Sequence, residues 1–300
     1  MNRYTHAVSD VLSHGAELLS SSGVDHALQE AALFLSVRMN IPRTHVFLRN
    51  SKPVRSDVAD AFMHDIRKRM QGVPAAYIIG SVEFMGIPIR VTSDALIPRP
   101  ETEIMVEYAI ARIQEQFSLS QTVLIADICT GSGAIAIACA RFLANARCIA
   151  ADIDEKALAL ARYNMHHTHG AECIDLVQTD LLDGFTRMPR FDCIIANPPY
   201  LRTGSIAVAD TSVRFEPRRA LDGGQDGMFF ARRIIRDAIQ LVRPRGMVFM
   251  EIDQGQADEL IDLCGITGFT NVSLHRDYQG LERFIYAEKP PMEEHRIVYG

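Results

Sequence analysis

The run Phe191-Asp192-Cys193-Ile194-Ile195-Ala196-Asn197-Pro198-Pro199-Tyr200 is largely apolar up to Ala196 and then stops at an asparagine, two prolines and a tyrosine. An apolar run of this length bounded by prolines reads as a buried strand. The prolines fix two φ angles, remove two N–H donors and push Asn197 out of the α region. The strand thus carries a rigid polar tip at its C-terminal end, which is where open α/β sheets bind ligands. An amide side chain offers one acceptor oxygen and two donor hydrogens, and the donor-less prolines leave a backbone carbonyl free to accept as well. The stretch reads as a clamp for an –NH₂ group. Asn-Pro by itself reads as a strand-ending turn, and it is Tyr200 together with a glycine-rich turn upstream that favours the clamp.

That upstream turn is Cys129-Thr130-Gly131-Ser132-Gly133, between a strand at Val123–Ile128 and an apolar helix at Ala134–Leu143. Glycines there let the backbone approach a ligand closely, and the new helix presents free N–H groups. A second strand, Cys148–Ala151, ends in Asp152, where an acidic side chain can accept both hydroxyls of a ribose. A helix at Ala157–Met165, a strand at Ile174–Val177 and Thr179-Asp180-Leu181 follow, so strand and helix alternate as in a doubly wound sheet. The spacing Asp127-x-x-x-Gly131-x-Gly133 lacks the third glycine that dinucleotide sites use for pyrophosphate.

Ahead of this region the periodicity is helical. Val8, Leu12 and Leu19, then Leu28, Ala32, Leu35 and Met39, then Val58, Phe62, Ile66 and Met70 recur at steps near a helical turn. Asp25 and Ser56 are the expected caps. Nothing in this bundle has catalytic spacing, and holding a macromolecular partner is its expected role. Val82, Phe84, Ile87, Ile89 and Val91 flank Met85-Gly86 and predict a hairpin. In Leu96-Ile97-Pro98-Arg99-Pro100-Glu101-Thr102-Glu103, Thr102 is placed to cap a helix from Ile104 to Phe117, with Glu103 suiting its dipole.

With 300 residues, 48% hydrophobic and 23% charged, the chain has room for two domains and ordinary globular composition. No apolar stretch approaches a membrane span, and Arg3, His6, Asp10 and Glu17 interrupt the N-terminus too often for a targeting peptide; a cytoplasmic protein is expected. The cysteines at 129, 139, 148, 173, 193 and 264 sit singly, without metal-site or disulfide spacing. A net charge of −6 argues against a protein whose main business is gripping nucleic-acid phosphate. Residues 201–250 nevertheless hold nine arginines against five acids, so a partner with some negative charge can be met near the Asn-Pro-Pro-Tyr stretch.

Taken with the glycine-rich turn, Asn197-Pro-Pro-Tyr200 resembles the S-adenosylmethionine-dependent methyltransferases that act on planar nitrogens. Leu96-Ile-Pro-Arg-Pro-Glu-Thr-Glu103, Arg214-Phe-Glu-Pro217, Ala220-Leu-Asp-Gly-Gly224 with Asp226-Gly227, and Arg276-Asp-Tyr278 narrow the likeness to the release-factor glutamine methyltransferase family (HemK/PrmC type), over essentially the whole chain. The resemblance implies a Rossmann-like, seven-stranded class I methyltransferase fold, mostly parallel with its last strand antiparallel. This domain, residues 93–300, would follow a substrate-docking helical bundle at 1–80 and a hairpin linker at 81–92. It further implies methyl transfer from S-adenosylmethionine, leaving S-adenosylhomocysteine, to the side-chain nitrogen of the glutamine in a release factor's Gly-Gly-Gln motif, with no metal, membrane or nucleic-acid substrate. Asn197, Pro198, Pro199 and Tyr200 would be catalytic. Cys129, Thr130, Gly131, Ser132, Gly133, Asp152, Asp180 and Leu181, with Asn197, would hold the cofactor, and Phe215 and Glu216 would close the pocket.

Two departures stand out. Cys129 replaces the first glycine of the usual turn and should fit if its φ is negative. Glu251-Ile252-Asp253 stands where such proteins often continue Glu-x-Gly, and neither departure is expected to touch the clamp. The alternative readings are methylation of another planar nitrogen, either adenine N6 in flipped-out DNA or a different protein glutamine, and a non-catalytic nucleotide-binding protein.

Overall fold

The computed structural model describes residues 4–168, 171–186, 188, 190–208 and 213–292, and the chain divides into two compact units, Met1–Ser81 with Asp210–Phe215 and Val82–Ala209 with Glu216–Gly300. The first unit contains β1 (Tyr4–Ala7), α1 (Val8–Ser21), α2 (Ala27–Met39), α3 (Arg43–Leu48), β2 (Pro53–Arg55), α4 (Ser56–Met70) and α5 (Ala75–Ile79). Leu12, Leu19, Leu35, Phe62 and Ile66 of the apolar stripes read from the sequence are buried, whereas Leu28 and Met70 of the same stripes are exposed. The antiparallel pair β1–β2 was not expected, because strands of three and four residues are too short to show a period of two. The caps are also otherwise: α2 begins after His26 at φ 53 and α4 after Arg55, neither with a side-chain cap, so Asp25 and Ser56 do not serve. A bidentate ion pair from Arg38 to buried Asp65, at 2.6 and 2.7 Å, ties α2 to α4 instead.

The second unit opens within the hairpin β3 (Ser81–Phe84) and β4 (Ile87–Arg90), at Val82. Its turn residues Met85 and Gly86 have φ of 49° and 74°, the paired left-handed geometry that two-residue hairpin turns favour. Then come α6 (Pro100–Gln116), β5 (Val123–Ile128), α7 (Ala134–Phe142), β6 (Ala146–Asp152), α8 (Glu155–His166), β7 (Ile174–Gln178), β8 (Phe191–Ala196), α9 (Phe229–Leu241), β9 (Val242–Glu251), α10 (Ala257–Thr267), β10 (Thr270–Arg276) and β11 (Glu282–Glu288). The strands form one seven-stranded sheet ordered β7-β6-β5-β8-β9-β11-β10. It is parallel except for β11, which runs against both β9 and β10.

The sheet is covered on both faces, which is why its central strands are apolar at successive positions. Cys193, Ile195 and Phe249 face the core shared with α6 and α7, while Ile194, Val248 and Met250 face the core shared with α9 and α10. The strand order reverses between β5 and β8, whose paired residues run from Ile125 opposite Cys193 to Ile128 opposite Ala196. Ligand crevices open at such a switch point, beyond the carboxyl ends of the strands. Both the glycine-rich turn after β5 and the Asn-Pro-Pro-Tyr stretch after β8 are delivered to it.

Gly15 of α1 offers a test of the first unit's packing, since a Cβ there would lie 2.4 Å from Phe62 Cζ and 3.2 Å from Ile66 Cδ1. Gly15→Ala should gain about 0.5–1 kcal/mol of helix propensity but lose about 1–3 kcal/mol to overpacking. The expected net result is a lower urea midpoint; a midpoint equal to or above wild type would show that Phe62 can rotate away at little cost.

Candidate active site

A cavity of about 400 Å³ lies at the carboxyl ends of β5, β6 and β8, within the size range of small-molecule sites. Cys129, Thr130, Gly131 and Ser132 line it from the turn after β5, Asp152 from the end of β6, Asp180 and Leu181 from beyond β7, and Asn197 and Pro199 from beyond β8. Gly133, Pro198 and Tyr200 are not part of the lining. Gly133 instead starts α7 at φ 83, and a Cβ on it would sit 3.1 Å from Ala161 Cβ, so its lack of a side chain allows α7 to approach α8.

The glycine-rich turn hangs from Asp127. Its Oδ2 accepts from Thr130 Oγ1 and, at 3.0 Å, from Ala136 N, which fastens the turn to the first turn of α7. Burial pushes the Asp127 carboxyl up to about 7. The turn needs left-handed backbone at Cys129, Gly131 and Gly133, with φ of 62°, 55° and 83°. The condition set for Cys129, a negative φ, is therefore not met. A cysteine stands in a conformation that costs a non-glycine residue about 1–2 kcal/mol, offset by the hydrogen bonds around it. Asp152 accepts from Gly131 N at 2.9 Å and Asp154 N at 3.0 Å. Burial raises its pKa against those two bonds, and each oxygen retains a lone pair for a further donor. Asp180 is held by Arg233 Nη1 at 3.0 and 3.1 Å, and Leu181 takes a left-handed φ of 50° beside it.

Asn197 shows the most informative chemistry. Its Nδ2 donates to Thr102 Oγ1 at 3.1 Å, and its Oδ1 is buried without a hydrogen-bond partner among the described residues. A buried acceptor left open is costly; Asp127 Oδ1 shares this state but lies outside the cavity lining, whereas Asn197 lines the cavity, so a ligand donor reaching its oxygen would relieve the cost. Thr102 in turn donates to Glu251 Oε2 at 2.6 Å, and Tyr200 Oη donates to Glu251 Oε1 at 3.2 Å. Thr102 is thus not the cap of α6: the helix begins at Pro100 after Arg99, and Thr102 lies buried in its first turn. Glu103 accepts from Met85 N at 2.9 Å. The expectation that Glu251-Ile252-Asp253 stays clear of the Asn-Pro-Pro-Tyr stretch is also corrected, since Glu251 touches Tyr200 directly. Glu251 closes the apolar strand β9, and an acid at that position of a buried strand was the one sequence cue that it mattered.

The Asn-Pro-Pro-Tyr stretch is splinted from behind. Leu201 N donates to Leu221 O at 3.0 Å, Gly223 N to Leu201 O at 2.8 Å, and Gln256 Nε2 to Tyr200 O at 3.1 Å. A Cβ on Gly223 would fall 2.7 Å from Pro199 O, and one on Gly227 2.3 Å from Tyr200 O, so both glycines are required by close approach. Glu216 does not line the cavity as expected. It is buried, pairs with Arg99 and accepts from Ile97 N at 3.2 Å, fastening the segment that leads into α6. Phe215 belongs to the first unit.

Comparisons with known proteins agree with this architecture. A family model described as the PrmC N-terminal domain matches residues 10–80, and one described as the methyltransferase small domain matches residues 109–225. A protein of Moorella thermoacetica named release factor glutamine methyltransferase is 34% identical over 277 residues, covering 92% of this chain and 96% of its own. A protein of the same name from Geobacter sulfurreducens is 33% identical over 279 residues, covering 93% and 95%. Among solved structures, the hMettl16 catalytic domain in complex with MAT2A 3'UTR hairpin 1 aligns with a TM-score of 0.55 and 17% identity, over 81% of this chain and 85% of that one. A methyltransferase of Pyrococcus furiosus aligns with a TM-score of 0.50 and 18% identity, over 69% and 90%. These two likenesses speak for the fold alone. Among the described residues, no helix is long and apolar enough to cross a membrane.

Two buried carboxyls at the site give a pH signature. Burial lifts Glu251, like Asp127, to about 7, the bonds from Thr102 and Tyr200 only partly opposing it. In the unfolded chain both titrate near ~4. Between roughly pH 4 and pH 7 the folded state therefore binds more protons than the unfolded one, and stability falls as pH rises through that window. Glu251→Gln removes one of the two groups, so its thermal midpoint should fall less than that of wild type between about pH 5 and about pH 8. Parallel curves for the two proteins would show that Glu251 titrates normally.

Proposed function

The chain belongs to the release factor glutamine methyltransferase family, and from that premise we propose that it transfers the methyl group of S-adenosylmethionine to the side-chain amide nitrogen of the glutamine in the Gly-Gly-Gln loop of peptide-chain release factors. The observation that carries this reading is the open Oδ1 of Asn197, buried at the wall of the cavity on the switch-point side of the sheet. The cofactor's donor and acceptor groups fit the residues present. Asp152 has lone pairs to accept from ribose hydroxyls, the glycine-rich turn offers close backbone approach, and Leu96, Pro98 and Phe229 provide apolar walls. When bound, S-adenosylmethionine supplies an electrophilic sulfonium methyl.

The protein's own part is positioning. The lone pair of an amide nitrogen is delocalised into its carbonyl, so abstracting a proton from it is a poor route at neutral pH. Asn197 Oδ1 and the Pro198 carbonyl oxygen would each accept one hydrogen of the glutamine –NH₂ and so orient its nitrogen toward the cofactor side of the cavity; the nitrogen would keep one of these hydrogens after methylation and release the other as a proton to solvent. Pro199 packs against the planar amide from the lining, and Tyr200 secures the stretch through Glu251. A single glutamine side chain gives too little surface to choose one target among many, so the first unit, residues 1–81, carries the contacts that select the release factor.

Loss of one preorganised acceptor is worth on the order of 10²–10³ in kcat, and that is the expected result for Asn197→Ala, with cofactor affinity little changed. The assay is methyl incorporation into a release factor, with the factor's own Gln→Ala loop variant as blank. Near-normal turnover by the variant, or incorporation into the blank, would overturn the reading.

Asp152→Ala should act on the cofactor instead. Hydrogen bonds to a charged acceptor contribute roughly 1.5–3 kcal/mol, so calorimetric affinity for S-adenosylmethionine should fall about ten- to a hundredfold. Unchanged affinity would place the ribose elsewhere.

A further inference from the structure

Asn197 serves as an acceptor only if its oxygen, and not its nitrogen, faces the cavity. The two ends of a carboxamide have nearly the same shape, and a half-turn about its last torsion exchanges them. Turned the wrong way, Asn197 would present two hydrogens to a substrate –NH₂ that itself offers only hydrogens on that side. Pro198 and Pro199 fix the backbone at this point but place no constraint on that torsion. Something in the surroundings must choose.

The hydrogen-bond chain behind Asn197 makes the choice. In its ionised form, which prevails above about pH 7, the Glu251 carboxyl is acceptor-only, and it sits buried at the end of β9 with a donor on each oxygen, Tyr200 Oη at 3.2 Å on Oε1 and Thr102 Oγ1 at 2.6 Å on Oε2. Thr102 has a single hydroxyl hydrogen, and Glu251 takes it. What remains on Thr102 Oγ1 toward Asn197 is a lone pair, which can be met only by a donor, and the group 3.1 Å away is Nδ2. The reverse orientation would set two acceptors against each other at that distance and leave two buried amide hydrogens facing the cavity. Of the charged groups that act on Glu251, Glu101 and Arg283 oppose each other in their effect and pair with one another at 3.4 Å.

The parts of this chain come from separate elements. Thr102 lies in the first turn of α6, Glu251 ends β9, and Asn197 follows β8. The approach to α6 is in turn fastened by Glu216, which takes Ile97 N and Arg99. We propose that Glu251 and Thr102 are positioning residues: the buried carboxylate sets the direction of the Thr102 hydroxyl, and the hydroxyl holds the Asn197 amide with Oδ1 toward the substrate nitrogen. This rests on the reading of Asn197 as an acceptor for the glutamine amide.

Three substitutions separate this role from simple packing. Thr102→Val keeps the shape and removes the hydroxyl. Asn197 is then free to turn, and kcat on the release factor should fall on the order of ten- to a hundredfold, the range typical of outer partners that orient a reacting group. The KM for the factor and the affinity for S-adenosylmethionine should stay within about twofold of wild type, a split that counts as loss at the reacting centre alone. Thr102→Ser, which keeps the hydroxyl and loses the methyl, should recover most of the activity. Glu251→Gln puts an –NH₂ where an acceptor stood; it can donate to Thr102, redirect the hydroxyl toward Asn197 and so invert the amide, with a similar drop in kcat. Because both changes act through one amide, the double variant Thr102→Val/Glu251→Gln should be no slower than the slower single variant.

A packing role gives the opposite pattern, with Thr102→Val close to wild type, Thr102→Ser worse than Thr102→Val, and losses that multiply in the double variant. Any of these results, in variants whose thermal unfolding stays cooperative, overturns the proposal. If Thr102→Val is too unstable to assay, the kcat of Thr102→Ser relative to that of Glu251→Gln decides instead: a ratio well above one is expected, and a ratio at or below one overturns the proposal. Absence of methyl incorporation by the wild-type enzyme would count against the proposed reaction itself, since the relay is judged only by variants relative to an active parent.

Discussion

A carboxylate buried at the end of a central strand must receive hydrogen bonds or keep its proton, and that requirement organises the carboxyl edge of this sheet. Glu251 receives its two bonds from the first turn of α6 and from the tyrosine that ends the Asn-Pro-Pro-Tyr stretch. Meeting them fixes the height of α6 over β8 and β9 and holds the stretch after β8 in place. Burial lifts the carboxyl while the donors pull it back, a balance between desolvation and hydrogen bonding. The donors belong to the site, so the same bonds that satisfy Glu251 also shape the cavity wall.

Asp127 faces a comparable requirement two strands over, on β5, where Oδ2 receives two bonds and Oδ1 has no partner among the described residues. It is fully buried, and the hydrogen bonds it accepts draw the glycine-rich turn back onto the start of α7. This tight return takes the backbone through three left-handed residues, one of them Cys129. Local strain at a cavity-lining turn persists where the surroundings over-determine it, and here the fastening is a buried carboxyl that accepts from the Thr130 hydroxyl and from the Ala136 backbone N–H. Two acids of the same kind thus hold the two halves of the site, one behind the glycine-rich turn and one behind the Asn-Pro-Pro-Tyr stretch.

The chemistry proposed for the cavity asks for orientation more than for proton removal, and the construction suits that demand. Prolines, close-packed glycines at 223 and 227 and the cross-brace from Gln256 leave the Asn-Pro-Pro-Tyr backbone little freedom. Groups held this way are reorganised little when substrate arrives, which is the condition under which a few hydrogen bonds become large effects on rate.

Much of this was legible along the chain. The apolar run before Asn197, the two prolines, the glycine spacing at 131 and 133 and the acid at 152 each carry a local physical meaning, and the alternation of strand and helix follows from periodicity. What tertiary structure alone decided lies where partners are distant in sequence. Thr102 reads locally as a helix cap, and only contact with Glu251, 149 residues away, and Asn197, 95 residues away, gives it another role. Glu216, expected to close the pocket, takes a different role once Arg99 and Ile97 are brought to it. Cys129 reads as a tolerable replacement for glycine until Asp127 and Asp152 pull the turn into left-handed backbone. Sequence determines which residues are rigid, apolar or able to donate and accept; which donor meets which acceptor depends on how the strands are ordered, and neighbouring residues carry no trace of that.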